Sequence, residues 1–98
     1  MKIVINTLYG GFSLNRRQTL LLASLECHAA QQELAELAPN TDDFFLGGVK
    51  RNDPKLIYVV ETLPTDDLKI VEIPDGVDWE IEEYDGKEWV SEVHRTWS

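Results

Sequence analysis

The chain has a single cysteine, Cys27, so no disulfide within it is possible, and the expected compartment is a reducing cytoplasm. No run of about 18 apolar residues exists, so no membrane-spanning helix is expected. The opening Met1-Lys-Ile-Val-Ile-Asn6 has one lysine and an apolar stretch too short for a secretion signal. Internal repeats and low-complexity segments are lacking, and 98 residues make one domain, 1–98, with one modest core. Basic residues are scarce: nine Lys and Arg stand against 18 Asp and Glu, a net charge of −9.

That charge is unevenly placed. Residues 1–60 hold six acids and six bases, whereas 61–98 hold twelve acids against Lys69, Lys87 and Arg95. Direct nucleic-acid binding through the second segment is disfavoured, because phosphate contacts require cations. A basic partner is favoured by the same sign argument. A solvated acidic face that maintains solubility satisfies the composition equally well.

The pattern predicts an α+β fold. Lys2–Asn6, with Ile3, Val4 and Ile5, reads as a strand. After Tyr9-Gly-Gly-Phe12, Ser13 is expected to cap a helix beginning near Leu14, with Leu14, Gln18, Leu21, Leu22 and Leu25 on one stripe. Ala30, Leu34 and Leu37 fall on the opposite side, so a break is expected near Glu26–Ala29, and Pro39-Asn40 should end the second helix. Thr41–Asn52 reads as a loop with Phe44, Phe45 and Leu46 against the core and Gly47-Gly48 flexible. Asp53-Pro54 starts a helix with Leu56, Val59, Val60 and Leu63 inward, closed by Pro64. Asp67–Ile73 alternates as a strand, and Val77–Val93 reads as a hairpin after a turn at Pro74-Asp75-Gly76. The expected whole is a small mixed or antiparallel sheet of about four strands, packed against two or three helices.

The hairpin has two possible registers. A two-residue Asp85-Gly86 turn sets Trp79 against Glu92 and Glu83 against Glu88, which mixes apolar and charged residues and opposes like charges. A three-residue loop, Tyr84-Asp85-Gly86, with a bulge at Gly86 pairs Glu83 with Lys87, Ile81 with Trp89, Trp79 with Ser91 and Val77 with Val93. The second is the expected register. It would gather Asp78, Glu80, Glu82, Glu88 and Glu92 on one face beside Val90, with Glu83 and Asp85 at the tip. Carboxylates spaced about 6.6 Å along a strand imitate a row of phosphates.

Catalytic and cofactor chemistry is not expected. Glu80 and Glu82 on an open strand lack the cleft that separates acid from base. Cys27-His28 lack a third metal ligand or an orienting acid and read as a buried or half-buried pair. His94 reads as a strand-end surface residue. Tyr9-Gly-Gly-Phe-Ser13 stands where a helix N-terminus could hold an anion, but it lacks both phosphate-loop and dinucleotide-binding glycine patterns, so a tight turn explains it. Phe12, Phe44, Phe45, Trp79 and Trp89 read as core, and Trp97 as a candidate contact.

Lys2-Ile-Val-Ile-Asn6, Tyr9-Gly-Gly-Phe-Ser-Leu14, Arg51-Asn-Asp-Pro-Lys-Leu56, Val71-Glu-Ile-Pro-Asp75, Glu82-Glu-Tyr-Asp-Gly-Lys-Glu-Trp-Val90 and His94-Arg-Thr-Trp97 resemble a group of small uncharacterised proteins encoded by bacteriophages and prophages. The likeness covers about two thirds of the chain and leaves out Leu22–Val49. It implies action in the cytoplasm of an infected bacterium and supplies no activity. Small acidic phage proteins often inhibit host machinery by binding it, as anti-CRISPR proteins and nucleic-acid mimics do. The expected function is therefore inhibition of a basic, nucleic-acid-handling host protein, with a CRISPR–Cas component among the candidates. The partner-binding residues would be Asp78, Glu80, Glu82, Glu83, Asp85, Glu88 and Glu92. The alternatives are an assembly module that docks or self-associates by a strand edge or the 41–52 loop, and a small-ligand binder at Gly10-Gly11-Phe12. Oligomeric state stays open.

Overall fold

The computed structural model describes residues 1–8, 11–36, 43–46 and 48–92. Four strands and three helices follow one another as β1 (Lys2–Asn6), α1 (Arg16–Ser24), α2 (His28–Glu36), α3 (Pro54–Thr62), β2 (Leu68–Glu72), β3 (Trp79–Tyr84) and β4 (Lys87–Glu92). The fold is α+β and its strand pairs are antiparallel, as expected. The strands form two separate ribbons, however, β1–β2 and β3–β4, not one sheet.

β1 is buried on both faces, with Ile3 and Val4 at 0% exposure. It pairs with β2 from Lys2↔Glu72 to Asn6↔Leu68. The ladder continues past both strand ends, as the Ile73 N–H donates to Met1 O and the Thr7 N–H to Asp67 O. Beside it, Lys2 Nζ donates to Glu61 at 2.7 Å, and this hydrogen bond and charge hold the lysine pKa above its usual value.

α1 begins two residues later than the Ser13 cap would place it. Asn15 accepts from the Gln18 N–H at 2.8 Å while its own N–H donates to Gln18 Oε1 at 3.0 Å, a reciprocal capping box that Ser13 and Arg16 could not form. The buried Gln18 then uses Nε2 to donate to Leu63 O, tying α1 to the end of α3. The expected break lies at Leu25–Glu26, where Glu26 takes φ 65° and turns the chain into α2. Leu22 from α1 and Ala30 from α2 meet in the core. α3 is capped by Asp53, which accepts from the Lys55 N–H, with Pro54 in the first turn. It buries Leu56, Ile57, Val59 and Val60.

The 43–46 segment is pinned to the entry of α1 by paired hydrogen bonds between Leu14 and Phe44. Phe44 and Leu46 are buried, but Phe45 is 59% exposed, contrary to the expectation that all three tuck inward. An extended chain alternates its sides, so three consecutive residues cannot share one core. The Pro39-Asn40 helix stop, Tyr9-Gly10, Gly47 and residues 93–98 lie outside the described residues.

The hairpin adopts the register that the sequence disfavours. Tyr84 pairs with Lys87, Glu83 with Glu88, Glu82 with Trp89, Ile81 with Val90 and Trp79 with Glu92. Asp85 and Gly86 take φ 53° and 89°, the two positive angles of a two-residue turn whose twist matches the strands. The bulged alternative is therefore corrected, with its pairings of Glu83 with Lys87, Ile81 with Trp89 and Trp79 with Ser91; the pairing of Val77 with Val93 lies outside the described residues.

The two registers are separable by NMR. An Hα–Hα NOE between Ile81 and Val90 is expected. A contact between Glu82 and Glu88, which the bulged register would bring together, should be absent.

Candidate interaction surface

The hairpin meets the rest of the protein mainly where β4 crosses the end of β1; β3 has no extensive contact with any element but β4. The junction is built by Arg51 and Glu88. Arg51 Nη1 and Nη2 donate to Glu88 Oε1 and Oε2 at 2.5 and 2.8 Å, a bidentate ion pair. Glu88 Oε1 also accepts from the Asn6 N–H at 2.8 Å. Arg51 contributes its backbone too, since its carbonyl accepts from the Val4 N–H at 2.9 Å while Nη1 donates to Val4 O at 3.3 Å. The guanidinium lies 3.7 Å from the centroid of the Phe12 ring. The Arg51 and Glu88 side chains are only 20% and 9% exposed.

This junction explains the register. Glu83 opposite Glu88 is repulsive only while Glu88 keeps its charge uncompensated. Here Arg51 neutralises Glu88, and Glu83 turns to accept from the Gly86 N–H at 2.9 Å. The expected five-acid face is not formed. Glu80 and Glu82 are exposed on the outer side of the ribbon with Tyr84, Lys87 and Trp89. Glu83, Glu88 and Glu92 belong to the other side, with the half-buried Trp79, Ile81 and Val90. Asp78 precedes β3 and Asp85 occupies the turn, both exposed. Period-2 alternation makes this division unavoidable once the turn has two residues.

Trp79 and Trp89 therefore do not share a side. Trp89 is 47% exposed and donates from Nε1 to Glu82 Oε2 at 3.1 Å, so its polar edge is satisfied on the outer face. Tyr84 beside it is 69% exposed. The outer face is thus acidic and aromatic, where an acidic row had been expected.

A cleft lies beside the junction. Asn6 is 1% exposed, and its Nδ2 donates to Leu8 O and to Gly86 O at 2.5 and 2.7 Å, fixing the amide against the hairpin turn. Asn6 also lines a cleft of about 300 Å³ with Gly11, Ser13, Asp43, Asp67, Leu8 and Phe45.

No protein-family model, curated protein or solved structure matches this chain. The surface itself is then the guide to function. Among the described residues, no three or more metal-ligating side chains cluster to hold an ion, and no helix is long and apolar enough to cross a membrane. Cys27 is half-buried against the core, as expected, whereas His28 is exposed at the start of α2, contrary to the expected buried or half-buried pair. The Gly11 region borders two carboxylates, and α1 starts only at Arg16, so the features an anion site would use are not together. His94 and Trp97 lie outside the described residues.

Sequence reasoning missed Arg51 and Asn6. Arg51 entered only among the bases of residues 1–60 and as the first residue of a resemblance segment, and Asn6 only at a strand end and as the last residue of another. The one signal that pointed to Arg51 was the conflict between Glu83 and Glu88 in the Asp-Gly register, which calls for a cation from elsewhere in the chain.

Truncating one partner of the junction should cost more than removing a charge while keeping the two hydrogen bonds that Oε1 accepts and losing the one from Arg51 Nη2. Arg51→Met is expected to destabilise by about 2–3 kcal/mol, because it leaves a buried carboxylate uncompensated. Glu88→Gln, whose Oε1 can still accept from Asn6 N–H and Arg51, should cost about 1 kcal/mol. Urea denaturation of both variants checks the order.

Proposed function

We propose that this chain is a non-catalytic binding protein that engages a basic protein through the outer face and tip of its C-terminal hairpin. The target class is a nucleic-acid-handling host protein, a CRISPR–Cas component among the candidates, and the action is inhibitory in a phage-infected bacterium. The observation that carries this reading is the composition of the exposed ribbon. Glu80 and Glu82 stand outward beside Tyr84 and Trp89, with Asp78 before β3 and Asp85 in the turn. Residues 78–92 hold seven acids against one lysine. Only Glu88 of these acids is drawn into the protein's interior by Arg51.

The division of the acids changes the manner of binding. Two outward carboxylates about 6.6 Å apart are a short fragment of a phosphate-like row, set by the strand rise. The exposed indole and phenol add the flat, amphipathic contact area that protein–protein interfaces favour. The face is therefore better matched to a basic protein surface with an apolar component than to a groove that tracks a long phosphate backbone. Glu88 is removed from the contact set, and Glu83 and Glu92 contribute from the opposite side or the tip. The resemblance to phage and prophage proteins supports the setting, and the sign of the charge supports a cationic partner.

Exchange of Glu80 and Glu82 for lysine tests this reading, since both are exposed and neither holds the junction. A pull-down from bacterial lysate with the wild-type chain should capture a protein of basic pI at low salt and lose it at high salt. The E80K/E82K variant should fold and capture nothing of that kind. Capture of the same protein by the variant would remove the hairpin from the contact.

A specific observation favours a second reading, an assembly module. Leu68, Ile70 and Glu72 point their backbone N–H and C=O groups away from β1, because the Met1, Ile3, Ile5 and Thr7 positions take the inward side of the ladder. No hydrogen bond to those outward groups is formed by the described residues. An open edge of this kind pairs readily with another strand. If it does so here, light scattering should give a mass that rises with protein concentration, and Ile70→Pro, which removes an outward N–H, should abolish the rise. A constant monomer mass would exclude self-pairing.

A further inference from the structure

We propose that Asp85, in the hairpin turn, is a site of spontaneous backbone isomerisation, and that the docking of the hairpin on β1 sets its rate. This goes beyond the binding reading and does not depend on it. The chain places a glycine after an aspartate twice, at Asp75-Gly76 and at Asp85-Gly86. Glycine has no side chain to block approach to its backbone nitrogen. The Gly86 nitrogen attacks Asp85 Cγ and closes a five-membered imide. Its lone pair forms the N–Cγ bond, and the carboxyl hydroxyl leaves as water with the amide proton. Water then opens the imide at either carbonyl. Attack at Cγ restores aspartate, whereas attack at the main-chain carbon leaves the chain running through Cβ and Cγ as isoaspartate. Water is lost and regained, so no oxidant or reductant is needed. The product keeps the negative charge but lengthens the main chain by one atom, so the two-residue turn that pairs Tyr84 with Lys87 no longer fits.

The fold separates the two aspartates. Closing the imide requires the glycine nitrogen to eclipse Cβ about the Cα–C bond. Asp85 is exposed, but its φ of 53° places it in the left-handed region. There ψ is about +30° to +60°, which sets the Gly86 nitrogen on the far side of that bond from Cβ. The turn is held in this state from both sides of Gly86. Its N–H donates to Glu83 Oε2 at 2.9 Å, and its carbonyl accepts from Asn6 Nδ2 at 2.7 Å. The Arg51–Glu88 ion pair lies two residues further along β4. Asp75 has no such lock: its φ is not positive, its side chain is 90% exposed, and the space where Gly76 would carry a Cβ is open. Its carboxylate lies 2.9 Å from the Met1 amino group, an exposed pair of little strength. Asp75 therefore reacts from the folded chain, and Asp85 only when the hairpin tip opens. A reaction slower than opening and closing follows the population of the open form.

The intact chain is incubated at neutral pH, with and without urea, and samples are then digested with a protease that cuts before aspartate but not before isoaspartate. Loss of cleavage before residues 75 and 85 gives the two rates separately. In the folded wild type, Asp85 should convert about tenfold or more slowly than in urea, and Asp75 should be slowed less. Weakening the junction should release Asp85 in the order wild type, Glu88→Gln, Arg51→Met, with a rise of about tenfold in the last, while Asp75 keeps its rate. Glu88→Gln keeps the reading available if Arg51→Met does not fold. Leu22→Ala destabilises the core where the hairpin is not docked, and it should leave the Asp85 rate of the folded chain unchanged. Asp85→Glu, whose longer side chain cannot close the five-membered ring, should end conversion at this position alone. Absence of conversion at Asp85 in urea would overturn the site. Equal rates at Asp85 in folded and unfolded chain, no response to either junction variant, or an equal response to Leu22→Ala would overturn its control by docking.

Discussion

Arg51 and Glu88 occupy the place of a missing strand. β1 is buried on both faces and offers a full set of backbone groups on the edge away from β2. Those groups must be paired or they cost the protein the desolvation of each one. The Val4 N–H goes to the Arg51 carbonyl, the Val4 carbonyl takes a bond from the Arg51 guanidinium, and the Asn6 N–H goes to Glu88. One backbone carbonyl and two side chains thus do what a neighbouring strand would do. That is why the four strands make two ribbons: the edge of β1 is already used, so β4 docks by its first residues without extending the sheet.

The same junction fixes what is left for recognition. A partly buried ion pair gains strength from its low-dielectric surroundings only if every polar atom is engaged, and Glu88 is engaged by three donors from two residues. Once Glu88 is committed inward, alternation commits Glu83 and Glu92 to the same side and Glu80 and Glu82 to the other. The repulsion a five-carboxylate face would have suffered is thereby avoided. The outward remainder is smaller and carries aromatic area, which shifts the balance from electrostatic imitation of a polymer toward contact with a folded protein surface.

Much of the fold was legible because its signals are local. The β-branched run Ile3-Val4-Ile5, the Asp53-Pro54 start and the opposed stripes of Leu22 and Ala30 each announce an element within a few residues. The start of α1 was misplaced because two polar residues competed as caps, and only the reciprocal bond with Gln18 separates Asn15 from Ser13. The hairpin register was not legible for a different reason. Cross-strand pairing was weighed with the hairpin isolated, where Glu83 opposite Glu88 is a penalty. The compensating cation lies 37 residues earlier, at the approach to α3. A local rule fails wherever a long-range charge reverses its sign, and that position is also the one that divides the candidate contact acids.

Asn6 links β1 to the hairpin through its backbone and its side chain. Its backbone N–H holds Glu88, and its Nδ2 holds the carbonyl of Gly86 in the hairpin turn. The hairpin turn is therefore held against the end of β1 by one buried amide. A contact surface held rigidly binds a protein better than a loose one, because less freedom is lost when the complex forms. An acidic composition by itself attracts any cation. Fixing an exposed acidic and aromatic ribbon rigidly against the end of β1 converts that general attraction into a demand on the arrangement of charges in the partner.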